Sequence, residues 1–190
     1  MQAYPTPVAE RKYAAAVNHL ESITGFLSSK EALRLPHDEV ESYLDREGRE
    51  LLRLLLQEHL DNRRQAERRL RAVTGSDGSD RRQAVVAPVK LGSLFGEVGA
   101  LRFLYQAPTR AGLAPLDAVL NLPSGYYSHS VRRLIAWHVA SNSYEEVRDQ
   151  VATVTGKRVN KRQLEEIAIS AACDFDAFYE RQPVERIAGS

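Results

Sequence analysis

The chain has 190 residues, 43% of them hydrophobic and 27% charged, with a formal net charge of +1. That is enough apolar material for one domain or two small ones, and so small a net charge names no partner by itself. Its single cysteine, Cys173, excludes an intramolecular disulfide and a CxxC zinc site and fits a reducing cytosol. No apolar run approaches the ~18 residues needed to span a bilayer, and the N-terminus MQAYPTPVAERK lacks the apolar centre of a signal peptide. A cytoplasmic protein with no membrane partner is expected.

Residues 1–8 contain Pro5 and Pro7 and are expected to be disordered. Tyr13, Val17, Leu20 and Ile23 recur at helical spacing, which predicts a helix from Ala9 with a break near Gly25 and a continuation to Leu35. Pro36 ends this segment, and Asp38 with Glu41 makes a D-x-x-E helix start. The longest predicted helix follows, over residues 40–73. Val40, Leu44, Leu51, Leu52, Leu55 and His59 line one side of it, and Leu54, Leu56 and Leu60 widen the stripe. A face that broad needs more than one neighbour, or a second chain.

The end of that helix carries Arg63, Arg64, Arg68, Arg69 and Arg71. Cations there complement the helix dipole, and a patch this dense also suits phosphate. Residues 75–83, beginning Gly-Ser-Asp-Gly-Ser, read as a flexible linker that closes a helical region spanning 9–74. Residues 84–125 are expected to hold one β-hairpin and a loop-rich passage. The hairpin's second strand alternates through Leu101, Phe103 and Tyr105, and Pro88 pushes its first strand to an edge or a bulge. Pro115 suits the start of a short helix.

Residues 126–181 read as a helix followed by a helix-turn-helix-like unit, with 182–190 a frayed tail. The first helix, 128–142, turns Val131, Leu134, Ile135, His138 and Val139 inward, with Trp137 at its edge. Ser143 and Glu146 then make a capping box, and Val147, Val151 and Val154 share a face. Gly156 suits the left-handed end of that helix, and Asn160 caps the next, with Gln163 three residues on. Leu164, Ile167 and Ala168 open an apolar face that continues through Ala171, Ala172 and Phe175. Lys157, Arg158, Lys161 and Arg162 crowd the turn and the first helical turn after it. Cations oppose the dipole at a helix N-terminus, but that end of a second helix is what a helix-turn-helix points at bases and phosphates. The turn runs about two residues longer than the compact version.

No catalytic residue emerges. Asp174 and Asp176 are two apart and do not share a helical face. His19, His37, His59, His129 and His138 are scattered, with no HExxH or metal-type spacing. The glycines form no phosphate loop. Cys173 reads as a small packed residue rather than a nucleophile.

Five blocks in order carry a resemblance. They are Gly48–Gln57 with the arginines and Val73–Gly78; Phe95–Val98 with Arg102 and Tyr105; Pro115–Pro123 with Tyr127, Ser128, Arg132 and Arg133; Thr155–Gln163; and Asp174–Tyr179. Together, over residues 39–179, they resemble the N-terminal part of the ISKra-type bacterial insertion-sequence transposases. The resemblance implies a region that recognises transposon-end DNA ahead of an RNase-H-like catalytic domain. That domain holds three acidic residues and two metal ions, usually Mg²⁺. Its carboxylates lie downstream of the last block, so none has a counterpart here, and no cofactor is expected in this chain.

The expected fold is therefore mainly α: a helical bundle with a long N-terminal helix, one β-hairpin and a C-terminal helix-turn-helix-like unit. The expected function is transposon-end recognition, truncated from and inactive without its catalytic domain. The expected partner is double-stranded DNA with terminal inverted repeats, with a homodimer possible. Lys157, Arg158, Asn160, Lys161, Arg162 and Gln163 are the expected contacts, with Gln163 a base reader and the five arginines a second grip on phosphates. The alternative is an oligomerisation module or a domesticated DNA-binding regulator.

Overall fold

A computed structural model describes residues 12–170. The expected disordered start, the frayed tail, Cys173 and the Asp174–Tyr179 block lie outside the described residues.

Two helices form the N-terminal part, α1 (Ala14–Leu27) and α2 (His37–Ala66). Gly25 does not interrupt α1; its cost in a helix interior, about 1 kcal/mol against alanine, is outweighed by packing. Ile23 is buried beside it, and Phe26 stacks on Tyr43 with ring centroids 4.2 Å apart. The helix stops at Ser28, whose hydroxyl donates back to the Thr24 carbonyl at 2.8 Å. Its start is capped from a distance: the Glu58 carboxylate accepts the Ala15 and Ala16 amides, each at 3.0 Å. An anion there also favours the dipole. Helix α2 begins at His37, directly after Pro36, with no side-chain cap. Asp38 and Glu41 do not form the expected cap; Asp38 lies inside the first turn, where its charge suits the dipole.

The long helix is shorter than its sequence pattern. It ends at Ala66, and Glu67 is extended. Tertiary partners take over the backbone and side chains beyond. The Glu67 carboxylate accepts the Phe103 amide at 3.1 Å, and the Leu70 amide donates to the Tyr105 hydroxyl at 2.6 Å.

Residues 75–83, expected to be a linker, contain a turn and a paired strand. Strand β1 (Val73–Thr74) pairs antiparallel with β2 (Asp80–Arg81). Arg81 is buried there, donating to the Asp77 carboxylate and to the Ser79 and Ala111 carbonyls. The hairpin appears as β3 (Gln83–Ser93) and β4 (Gly96–Ala107), and β5 (Arg110–Leu113) adds a third antiparallel strand in the order β3-β4-β5. The expectation of a mainly α fold with one hairpin holds in part: the helices and the hairpin are present, but the fold is mixed, helices with two small antiparallel sheets. Strand β3 is an edge, as Pro88 requires, because proline has no amide to give a second neighbour.

Strand β5 pairs only with the end of β4, between Tyr105 and Ala107. The rest of that edge is covered by α2. The Gln57 side-chain amide donates to the Gly99 carbonyl at 2.9 Å and accepts the Gly99 amide at 2.8 Å, while Glu67 serves Phe103. Side chains thus complete a ladder that would otherwise be open to a foreign strand. Leu60 of α2 packs with Leu91, Val98 and Ala100 as one core. Replacing Gln57 with alanine is expected to cost about 1–3 kcal/mol in chemical denaturation, because two backbone groups of Gly99 lose their partners.

Short helix α3 (Pro115–Val119) starts on its proline as expected, and α4 (His129–Val139) starts under the Ser128 hydroxyl, which accepts the Val131 amide. Trp137 is 79% exposed on α4 rather than at a packed edge. Helix α5 (Tyr144–Thr155) and α6 (residues 161–170) complete a second core with α4, made of Val131, Ile135, Val147, Val151, Val159, Leu164 and Ile167. The two cores are joined where Gly92 of β3 exchanges backbone hydrogen bonds with Tyr126 and Ser128, and where Arg49 of α2 donates to the Val154 carbonyl.

Candidate nucleic-acid interface

The helix pair α5–α6 is built by local chemistry. Ser143 and Glu146 close a full capping box, and Gly156 ends α5 at φ 71°, a conformation that costs glycine little. The Asn160 side chain accepts the Gln163 amide at 2.8 Å and so caps α6. The turn between them is long because it is packed. Val159 is fully buried in the helical core, and its carbonyl accepts from Arg148 at 3.0 Å. The Thr155 hydroxyl donates to the Val151 carbonyl and accepts the Lys157 amide.

This brings Lys157, Arg158, Asn160, Lys161 and Arg162 together around one exposed turn. Each of three cations has a carboxylate. Lys157 Nζ lies 2.7 Å from Glu97 at the start of β4, Arg158 lies 2.5 Å from Asp149 of α5, and Arg162 lies 2.9 Å from Glu166 one turn along α6. Lys161 has no ion pair among the described residues. The Arg158–Asp149 and Arg162–Glu166 pairs are exposed on both sides, and pairs of this kind contribute little, so a phosphate can exchange for either carboxylate at small cost. Glu165 and Glu166 follow on α6, which confines attraction for phosphate to its first turn. Gln163 is half-buried, and its carbonyl oxygen accepts the Tyr127 hydroxyl at 3.3 Å. As placed, Gln163 faces the protein rather than a base edge.

The five arginines do not form one helical face. Arg63 and Arg64 close α2, whereas Arg68, Arg69 and Arg71 follow it in irregular chain. Arg64 is held: its guanidinium carbon stands 4.2 Å from the Phe103 ring centre, and it pairs with Glu67 at 3.7 Å. Arg68, Arg69 and Arg71 are exposed.

Sequence reasoning gave Glu97, Tyr126 and Tyr127 no contact with this turn, and no local signal pairs them with it, because Glu97 and Lys157 are sixty residues apart. The Tyr126 hydroxyl donates to Glu97 at 2.8 Å, and Lys157 reaches both. Hydrogen bonds from Lys157 and then Tyr126 hold the Glu97 carboxyl down at about 2. The same contact raises Lys157, and burial raises Tyr126 and Tyr127. A depressed carboxyl stabilises the fold above its unfolded value of about 4.5 and ceases to do so as pH falls through about 2. NMR titration of the Glu97 side chain is expected to show a midpoint near 2, and Lys157→Ala is expected to move it up toward the ordinary carboxylate value.

Among the described residues no group of three or more His, Cys, Asp or Glu side chains is placed to hold a metal ion, and no helix is long and apolar enough to cross a membrane. No family model, curated protein or solved structure matches the chain.

Proposed function

We propose that this chain binds double-stranded DNA through the turn and first turn of α6, as the end-recognition part of an insertion-sequence transposase. The observation that carries the reading is the packed helix-turn-helix core with Lys161 and Arg162 exposed at the capped start of its second helix. Backbone amides, dipole and cations at that point all favour an approaching phosphate. Lys157 and Arg158 add contacts by exchanging Glu97 and Asp149 for phosphate. The exposed Arg68, Arg69 and Arg71 give a second phosphate-binding stretch. The resemblance of the ordered sequence blocks to ISKra-type transposases supports transposon ends as the target.

Fluorescence anisotropy tests this with a duplex bearing an ISKra-type terminal inverted repeat and a shuffled duplex. Binding is expected at ~150 mM salt, steeply salt-dependent and tighter for the repeat. Equal affinity for both duplexes leaves DNA binding without end recognition. No binding even at ~50 mM salt refutes the DNA reading altogether.

A further inference from the structure

Among the described residues, the hairpin of α1 and α2 leaves one flank open. Val17 and Leu20 of α1, and Leu44, Leu52 and Leu55 of α2, are 38–47% exposed. Elsewhere around α2 the neighbours are in place: α1 through Tyr43 and Glu58, the sheet through Gln57 and Leu60, and the α5 end through Arg49. The two exposed stripes lie on the same flank. The Tyr13 hydroxyl meets His59 Nδ1 at 3.4 Å. Tyr13 is the N-cap residue of α1, about one turn before Val17, and His59 shares the phase of Leu52 and Leu55, at spacings of four and seven residues. One contact therefore ties both stripes to one continuous apolar surface.

The charges bordering that surface have a two-fold arrangement. Glu41 and Arg63 each lie eleven residues from Leu52, in opposite directions. Eleven residues is about three turns, so both stand in line with Leu52, about 16 Å on either side. Neither has an ion-pair partner among the described residues. If two α2 helices cross antiparallel at Leu52, Glu41 of each meets Arg63 of the other.

We propose that a second copy of this chain docks on this flank, antiparallel, with the two-fold axis beside Leu52 and the α1–α2 hairpins forming a four-helix bundle. Apolar residues fill the centre and the Glu41–Arg63 pairs close the two ends, so the surface is self-complementary, as a two-fold interface must be. The inference stands on the helical hairpin and is independent of the DNA reading.

Sedimentation equilibrium of the full chain, loaded at about 50 µM, where modest interfaces associate, tests it. The wild type is expected to be a dimer. Leu52→Glu with Leu55→Glu is expected to be a monomer of unchanged far-UV helicity, because both side chains already meet solvent. Glu41→Arg is expected to weaken the dimer at least about tenfold, and adding Arg63→Glu to restore it, since the reversed pair attracts again. A monomeric wild type overturns the proposal, whether the flank is bare or covered by the chain itself. A dimer that survives the leucine changes overturns it too. If the leucine variant loses helicity, the charge reversal decides: failure of Arg63→Glu to restore the dimer rejects the antiparallel pairing.

Discussion

Replacing Lys161 and Arg162 together with alanine is expected to weaken duplex binding by about ten- to a hundredfold at ~150 mM salt, and to flatten the salt slope by nearly two. The two side chains sit at the first turn of α6, and Arg162 is 88% exposed in its side chain. The fold does not depend on them. The Arg162–Glu166 pair is a surface pair, and α6 is capped by Asn160 without either cation. Stability is therefore expected to change by less than about 1 kcal/mol, so loss of binding would report contact rather than unfolding. Each phosphate neutralised releases about one counterion, which sets the change in slope. Removing both cations also removes an opposition to the helix dipole, so melting temperature should hold or rise slightly. If the double variant binds the terminal repeat as tightly as wild type, the α6 turn does not contact DNA.

Leu164→Ala is expected to have the largest effect on stability, about 2–5 kcal/mol. Leu164 is fully buried with Val131, Ile135, Val151 and Val159 in the core of α4, α5 and α6. This small core has no other large aliphatic side chain on the first turn of α6, so the cavity falls where α6 meets its turn. The loss should be read as a fall in the denaturant midpoint. DNA affinity should fall with it, because Lys161 and Arg162 are aimed by the packing that Leu164 maintains. Leu164→Met, close in volume, is expected to cost less than about 1.5 kcal/mol and to keep binding. Equal losses for both substitutions would mean that the site is not a close-packed core position.

The parts of the structure legible in the sequence are those built from contacts within a few residues. Ser143 with Glu146, Gly156, and Asn160 with the amide of Gln163 announce the α5–α6 turn, because a cap bonds its own backbone. Pro88 announces an edge strand for the same kind of reason: what matters is its own missing amide. The arginine run after Ala66 was misleading. Its composition suits a helix, yet Glu67 and Leu70 are claimed by Phe103 and Tyr105 of β4, over thirty residues away. Weak helix propensity loses to tertiary hydrogen bonds. The ribbon at Val73–Arg81 was hidden likewise, since the pairing that orders it includes the carbonyl of Ala111.

The candidate site divides along the same line. The sequence alone determined which cations gather at the start of α6, and that Asn160 caps it. Only the tertiary structure decided that Lys157 is held by Glu97 and Tyr126, that Gln163 is turned inward onto Tyr127, and that Leu44, Leu52 and Leu55 of α2 are exposed along with Val17 and Leu20 of α1. The reason is physical. A cap or a turn is a bargain between neighbours in the chain, readable from spacing, whereas the partner of a charge and the cover of an apolar face depend on which distant segments the packing brings near.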